Sequence, residues 1–119
     1  MNAVWAVAAG GALGASIRFG VNQAVINWFH APLILATLTA NIVGCFLMGL
    51  SYKYFNQVVV DDAIRMFVTV GFLGALTTWS TFSMETVLMI QNDEVIKALG
   101  YTLVTTVCCF MAFWLGVKS

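Results

Sequence analysis

Few side chains in this sequence can do chemistry, and those that can stand inside long apolar runs. Arg18 lies in Gly-Ala-Ser-Ile-Arg-Phe, Asn41 in Thr-Leu-Thr-Ala-Asn-Ile-Val-Gly, and Glu85 in Phe-Ser-Met-Glu-Thr. Where water is scarce, a polar group must find a partner or line a hydrated path, because burying it unpaired is costly. Arg18 has three ways to meet that demand. It can snorkel to the nearest interface, pair with backbone carbonyls, or form a positive vestibule for an anion. The Asn41 amide offers two donors and two acceptor sites. It suits either a structural bond between helices or a ligand in a pore.

Residues 71–86 are the least ordinary stretch, with two glycines and six hydroxyl residues in a segment otherwise apolar enough for a buried helix. Hydroxyls bond back to carbonyls of the preceding turn, and glycine lowers the cost of interrupting a helix. One reading is a hydroxyl-rich helix packed on its neighbours. The other is an unwound segment, which lipid tolerates only where protein buries it or where it lines a cavity. Carbonyls freed at such a break can hold a cation. Cys45, Cys108 and Cys109 all fall deep in apolar runs, with no histidine or acid at metal-ligand spacing. They read as small apolar packing residues and carry no information on redox compartment.

The elements that position these residues follow from composition. Of 119 residues, 61% are hydrophobic and 8% charged, against about a quarter charged in an ordinary soluble domain. Mean hydropathy is +0.94. Such a surface faces lipid. The formal net charge of zero removes any electrostatic case for a nucleic-acid partner. A membrane helix needs about 20 apolar residues to cross about 30 Å of hydrocarbon. Four such spans fit between the polar breaks, at about Ala3–Trp28, Leu33–Phe55, Ala63–Ile90 and Val95–Val117. The expected fold is therefore all-α, one four-helix transmembrane domain over residues 1–119. The first span is too long, and too poor in preceding positive charge, for a cleaved signal peptide.

Four spans place both termini and the loop after span two on one face. That face collects Lys53, Arg65 and Lys118, against Lys97 on the other. So small an excess gives a weak positive-inside signal and would permit insertion in both orientations. Four short helices shield few polar groups, which favours a partner subunit. Gly10 and Gly14 form a G-x-x-x-G, and Ala40 and Gly44 a small-x-x-x-small, both suited to close helix contact.

Three segments together carry a resemblance: Gly-Gly-Ala-Leu-Gly-Ala-Ser-Ile-Arg at 10–18, Thr-Leu-Thr-Ala-Asn-Ile-Val-Gly at 37–44, and Gly-Phe-Leu-Gly-Ala-Leu-Thr-Thr-Trp-Ser-Thr-Phe-Ser at 71–83. In this order and over the whole chain they resemble the Fluc family of bacterial fluoride channels, also called CrcB. The resemblance implies a multi-pass protein of the inner (plasma) membrane that exports fluoride passively and confers fluoride resistance. It is not an enzyme. It further implies an antiparallel, dual-topology homodimer with two pores, the third helices breaking at its centre. There the carbonyls of Gly74 and Thr77 from both subunits would hold a structural Na⁺. By the same resemblance Asn41 is a pore asparagine, and Trp79 and Phe82 are aromatics whose ring edges face the anion. Ser80 and Thr81 match a hydroxyl track, Thr37 belongs to the fluoride pore, Arg18 marks the vestibule, and Glu85 is an acid beyond the track.

Two positions depart from the family pattern. Trp79 replaces a usual phenylalanine, and Cys109, a weak donor, stands where the fourth helix usually brings a serine. The chemistry is still coherent. Fluoride is small and strongly hydrated, so a selective path must offer close donors, and aromatic edges carry partial positive charge. The sites must also let the ion go. A negative-inside potential drives an anion outward by about 2.3 kcal/mol per 100 mV. The runner-up is a small multidrug-type proton-coupled exporter of four helices. That mechanism calls for a buried carboxylate in the first span, which has none.

Overall fold

The computed structural model describes residues 2–119. The elements are α1 (Asn2–Asn27), α2 (Leu33–Gln57), α3 (Asp62–Met66), a π-helical segment (Phe67–Leu73), α4 (Gly74–Leu76), α5 (Trp79–Gln91) and α6 (Val95–Lys118). There is no strand among the described residues. Four helical stretches are long and apolar enough to cross a membrane, the third being the composite Asp62–Gln91. Helices are the natural answer in lipid, because each satisfies its own backbone hydrogen bonds.

The spans end where the polar residues allow. Pro32 caps α2 at φ −61°, having no N–H to leave unpaired. The Asp61 carboxylate accepts from the Ala63 N–H and opens α3. His30 and Asp93, in the turns before α2 and α6, adopt positive φ of 49° and 62°. Boundaries differ from the expected ones by one or two residues, at helix ends where fraying decides.

α2 packs chiefly on α6, and α1 on the π-helical segment and α4. Both contacts are backbone to backbone. A Cβ on Gly10 would sit 2.3 Å from the Phe67 carbonyl oxygen, and one on Gly14 would sit 2.2 Å from that of Phe72. The G-x-x-x-G of α1 thus serves a contact within the chain. Gly49 and Gly116 do the same between α2 and α6. Small residues replace side-chain volume with close approach, which is how helices associate where lipid removes the hydrophobic drive.

The third span is interrupted twice. Its first half is π-wound over Phe67–Leu73, a winding that sequence periodicity does not reveal. It then breaks at Thr77 and Thr78, whose backbones are extended at φ/ψ of −86°/158° and −150°/122°. The expected break in the third helix is present, and its position between two threonines sets up the site.

Candidate functional site

The break exposes backbone groups, and side chains from the other helices take several of them. Asn41, buried on α2, spans the gap. Its Oδ1 accepts from the Thr78 N–H at 2.7 Å, and its Nδ2 donates to the Thr78 carbonyl at 3.2 Å. One asparagine thus satisfies both polar groups of a residue that lies in neither helix. The structural-bond reading of Asn41 is realised, and one Nδ2 hydrogen is left over for another acceptor. Arg18, half-buried on α1, donates from Nε to the Ala75 carbonyl at 3.0 Å. That carbonyl belongs to the last turn of α4, which the break leaves without its helical donor. Of the three readings of Arg18, carbonyl pairing is the one the geometry takes.

Other groups at the break are rearranged. The Thr78 hydroxyl caps α5 by accepting from the Thr81 N–H at 3.2 Å and lies 3.3 Å from the Ser80 hydroxyl. The Thr77 N–H and hydroxyl both donate to the Leu73 carbonyl. Because Thr78 gives its N–H to Asn41 and Thr81 gives its own to the Thr78 hydroxyl, Gly74 and Thr77 lose their helical donors four residues on. Gly44 makes this packing possible. A Cβ there would lie 2.2 Å from Thr77 Cγ2.

Beside the break is a cavity of about 200 Å³, lined among others by Asn41, Thr77, Trp79, Phe82, Thr105 and Cys109. Trp79 and Phe82 contact each other with ring centroids 5.2 Å apart. Their environments differ sharply: Phe82 is 5% exposed and Trp79 76%. Beyond Phe82, whose ring meets that of Tyr101 at 5.1 Å, lies a second polar cluster. Glu85, only 8% exposed, accepts from the Thr37 hydroxyl at 2.8 Å and the Tyr101 hydroxyl at 2.7 Å.

The structure thus brings Asn41, Trp79, Phe82 and Thr77 to one cavity. Thr37 is spent on Glu85, and Ser80 and Thr81 sit at the start of α5 outside the lining. Gly74 is exposed next to the break. Sequence reasoning passed over Thr78, Tyr101, Cys45 and Thr105. Thr105 Oγ1 is buried with no hydrogen-bond partner, on the cavity wall, a place where a polar atom ordinarily demands one. A signal for the last of these was available. Tyr101, Thr105 and Cys109 recur every fourth residue on α6, which puts them on one face.

A four-span helical chain, with its third span broken beside a polar-lined cavity, defines a small integral membrane protein. Comparison with known proteins narrows this. Residues 5–117 match the family model described as CrcB-like protein, Camphor Resistance (CrcB), and the chain belongs to that family. It is similar to the "Fluoride-specific ion channel FluC" of Pseudoalteromonas translucida, 40% identical over 114 residues covering 94% of each chain. The protein of the same name from Magnetococcus marinus is 40% identical over 118 residues, covering 98% of this chain and 95% of its own. That of Idiomarina loihiensis is 42% identical over 106 residues, covering 89% and 82%. The chain is a multi-pass integral protein of the bacterial inner membrane.

Proposed function

We propose that this protein is a fluoride-specific channel that lets fluoride leave the cell passively. It is a conduit and not an enzyme. The observation that carries the reading is the cavity beside the helix break. There a spare Asn41 N–H, an unpartnered Thr105 hydroxyl and the ring of Phe82 converge. These are donors and positive ring edges without a fixed cation, which can replace an anion's water without trapping it. The names of the relatives support the same substrate. The multidrug-type alternative lacks its acid in α1, and Glu85 is tied to two hydroxyls on α2 and α6.

In this reading Asn41 does two things. It holds Thr78 in the extended conformation and turns its remaining N–H to the anion. Phe82 separates the cavity from the Thr37–Glu85–Tyr101 cluster, and Trp79 offers its edge from the exposed side. Ser80 and Thr81 supply hydroxyls at the start of α5, Thr37 lies beyond Phe82 with its hydroxyl on Glu85, and Arg18 keeps spare guanidinium hydrogens toward a vestibule. The working unit is an antiparallel homodimer with the exposed Trp79 face at its centre, inserted in both orientations. Gly74 and Thr77, relieved of their helical donors, have the hard oxygen ligands that suit Na⁺. A cation there would neutralise the carbonyl dipoles and raise the potential for anions.

The decisive experiment is purified protein in liposomes with ion-selective electrodes. Fluoride should leave rapidly without a proton gradient while chloride stays near background. Equal fluoride and chloride rates, or a proton requirement, would reject the channel.

A further inference from the structure

Helices α2 and α6 are the second and fourth spans of an alternating bundle, so they run parallel. They touch at Gly49 and Gly116, where a Cβ on Gly49 would meet the Phe113 carbonyl at 2.2 Å. One helical turn back along each, from Gly49 to Cys45 and from Phe113 to Cys109, keeps the same faces opposed. Both cysteines line the cavity beside the break. Both are free. The third cysteine, Cys108, is not part of the cavity wall. One turn further back the same rows carry Asn41 and Thr105, whose hydroxyl has no partner.

We propose that Cys45 and Cys109 form a two-thiol site for a soft d¹⁰ cation, and that an ion held there plugs the path beside Phe82. Sulfur ligands select soft ions. With no further sulfur, imidazole or carboxylate in the cavity wall, the four-coordinate shell that zinc requires is not supplied. A mercuric ion needs only two sulfurs in line. Two S–H bonds break, two S–Hg bonds form, both protons leave to water, and nothing is oxidised or reduced. The product, S–Hg–S, is neutral and asks for no counter-charge from the cavity wall. Cys109, which weakens the site as a donor to anions, is the residue that makes it a metal ligand. The plugging half of this proposal rests on the fluoride-path reading; the binding half does not.

The test uses the Cys108→Ser protein in liposomes, titrated with mercuric chloride and counted for remaining thiols after denaturation. One equivalent per chain should remove both thiols together and cut fluoride efflux by about tenfold or more, as a single ion does in a narrow path. An equal amount of zinc chloride should change neither. Cys45→Ser or Cys109→Ser in that background should lose the block at one equivalent, judged as the ratio of flux with and without metal in each variant. Two equivalents to remove two thiols, or undiminished block in either single-thiol variant, would overturn the site. Bridging at one equivalent with flux unchanged would overturn the plug. Bridging in a protein that conducts no fluoride would sink the fluoride reading and uphold the two-thiol site.

Discussion

The side-chain amide of Asn41 holds both backbone polar groups of Thr78, its N–H at 2.7 Å and its carbonyl at 3.2 Å. The bond to the Thr78 N–H replaces the helical one that the break removes, so the bend in the third span is braced from α2. Asn41→Ala orphans the Thr78 N–H. The expected loss is about 1–3 kcal/mol for a buried group left unpaired, read as a lower unfolding temperature by size-exclusion chromatography after heating, together with loss of fluoride efflux. Unchanged stability and flux would show that the brace is dispensable.

Phe82 lines the cavity and is wedged between Trp79 and Tyr101. Phe82→Ile keeps an apolar side chain but offers no ring edge. An aromatic contact worth about 0.5–1.5 kcal/mol translates to a fall in flux of up to about tenfold, with the protein still folded and assembled. Trp79→Phe keeps an edge and loses only the indole N–H, so flux should persist. Flux normalised to reconstituted dimer decides the matter: normal flux in the Phe82→Ile dimer removes aromatics from the mechanism and leaves them as packing.

Gly44 leaves room for the Thr77 methyl, which a Cβ at position 44 would meet at 2.2 Å. Gly44→Ala should displace the break and cost about 1–3 kcal/mol, the usual range for overpacking, with a loss of efflux. Adding Thr77→Ser deletes the offending methyl and keeps the hydroxyl that donates to the Leu73 carbonyl at 3.0 Å. The double variant should recover much of the stability and flux. A double variant as impaired as Gly44→Ala alone would refute the steric account.

The small lysine and arginine asymmetry across the four spans permits the proposed insertion in both orientations. Lys118→Cys in a background without the native cysteines should react with an impermeant thiol reagent from both sides of the membrane. Reaction from one side alone would exclude the antiparallel dimer.

Gly74 and Thr77 flank the break with carbonyls that Thr78 and Thr81 no longer serve. A dimer purified with Na⁺ should unfold at a higher temperature than one purified with a large organic cation, and a high-resolution density map should hold an ion between the two subunits. Equal stability in both salts, with no density between the subunits, would argue against the cation.

Four spans, their approximate limits and the polarity of the third were legible in the residues, because in lipid composition and length alone separate spanning helix from loop. The glycine spacing also announced close contacts, although Gly10 and Gly14 turned out to meet the π-helical segment of their own chain. The family was legible in three short segments read together. Tertiary structure decided what each polar group holds. A sequence shows that Asn41, Arg18 and Glu85 need partners, but a partner 16 to 57 residues away is a matter of which helix faces meet. For the same reason the placing of the break at Thr77–Thr78, the π-winding before it and the orphaned Thr105 hydroxyl appear only in the fold. Each is a local backbone or side-chain state that neighbouring helices impose, against the plain helix that the local sequence would otherwise form.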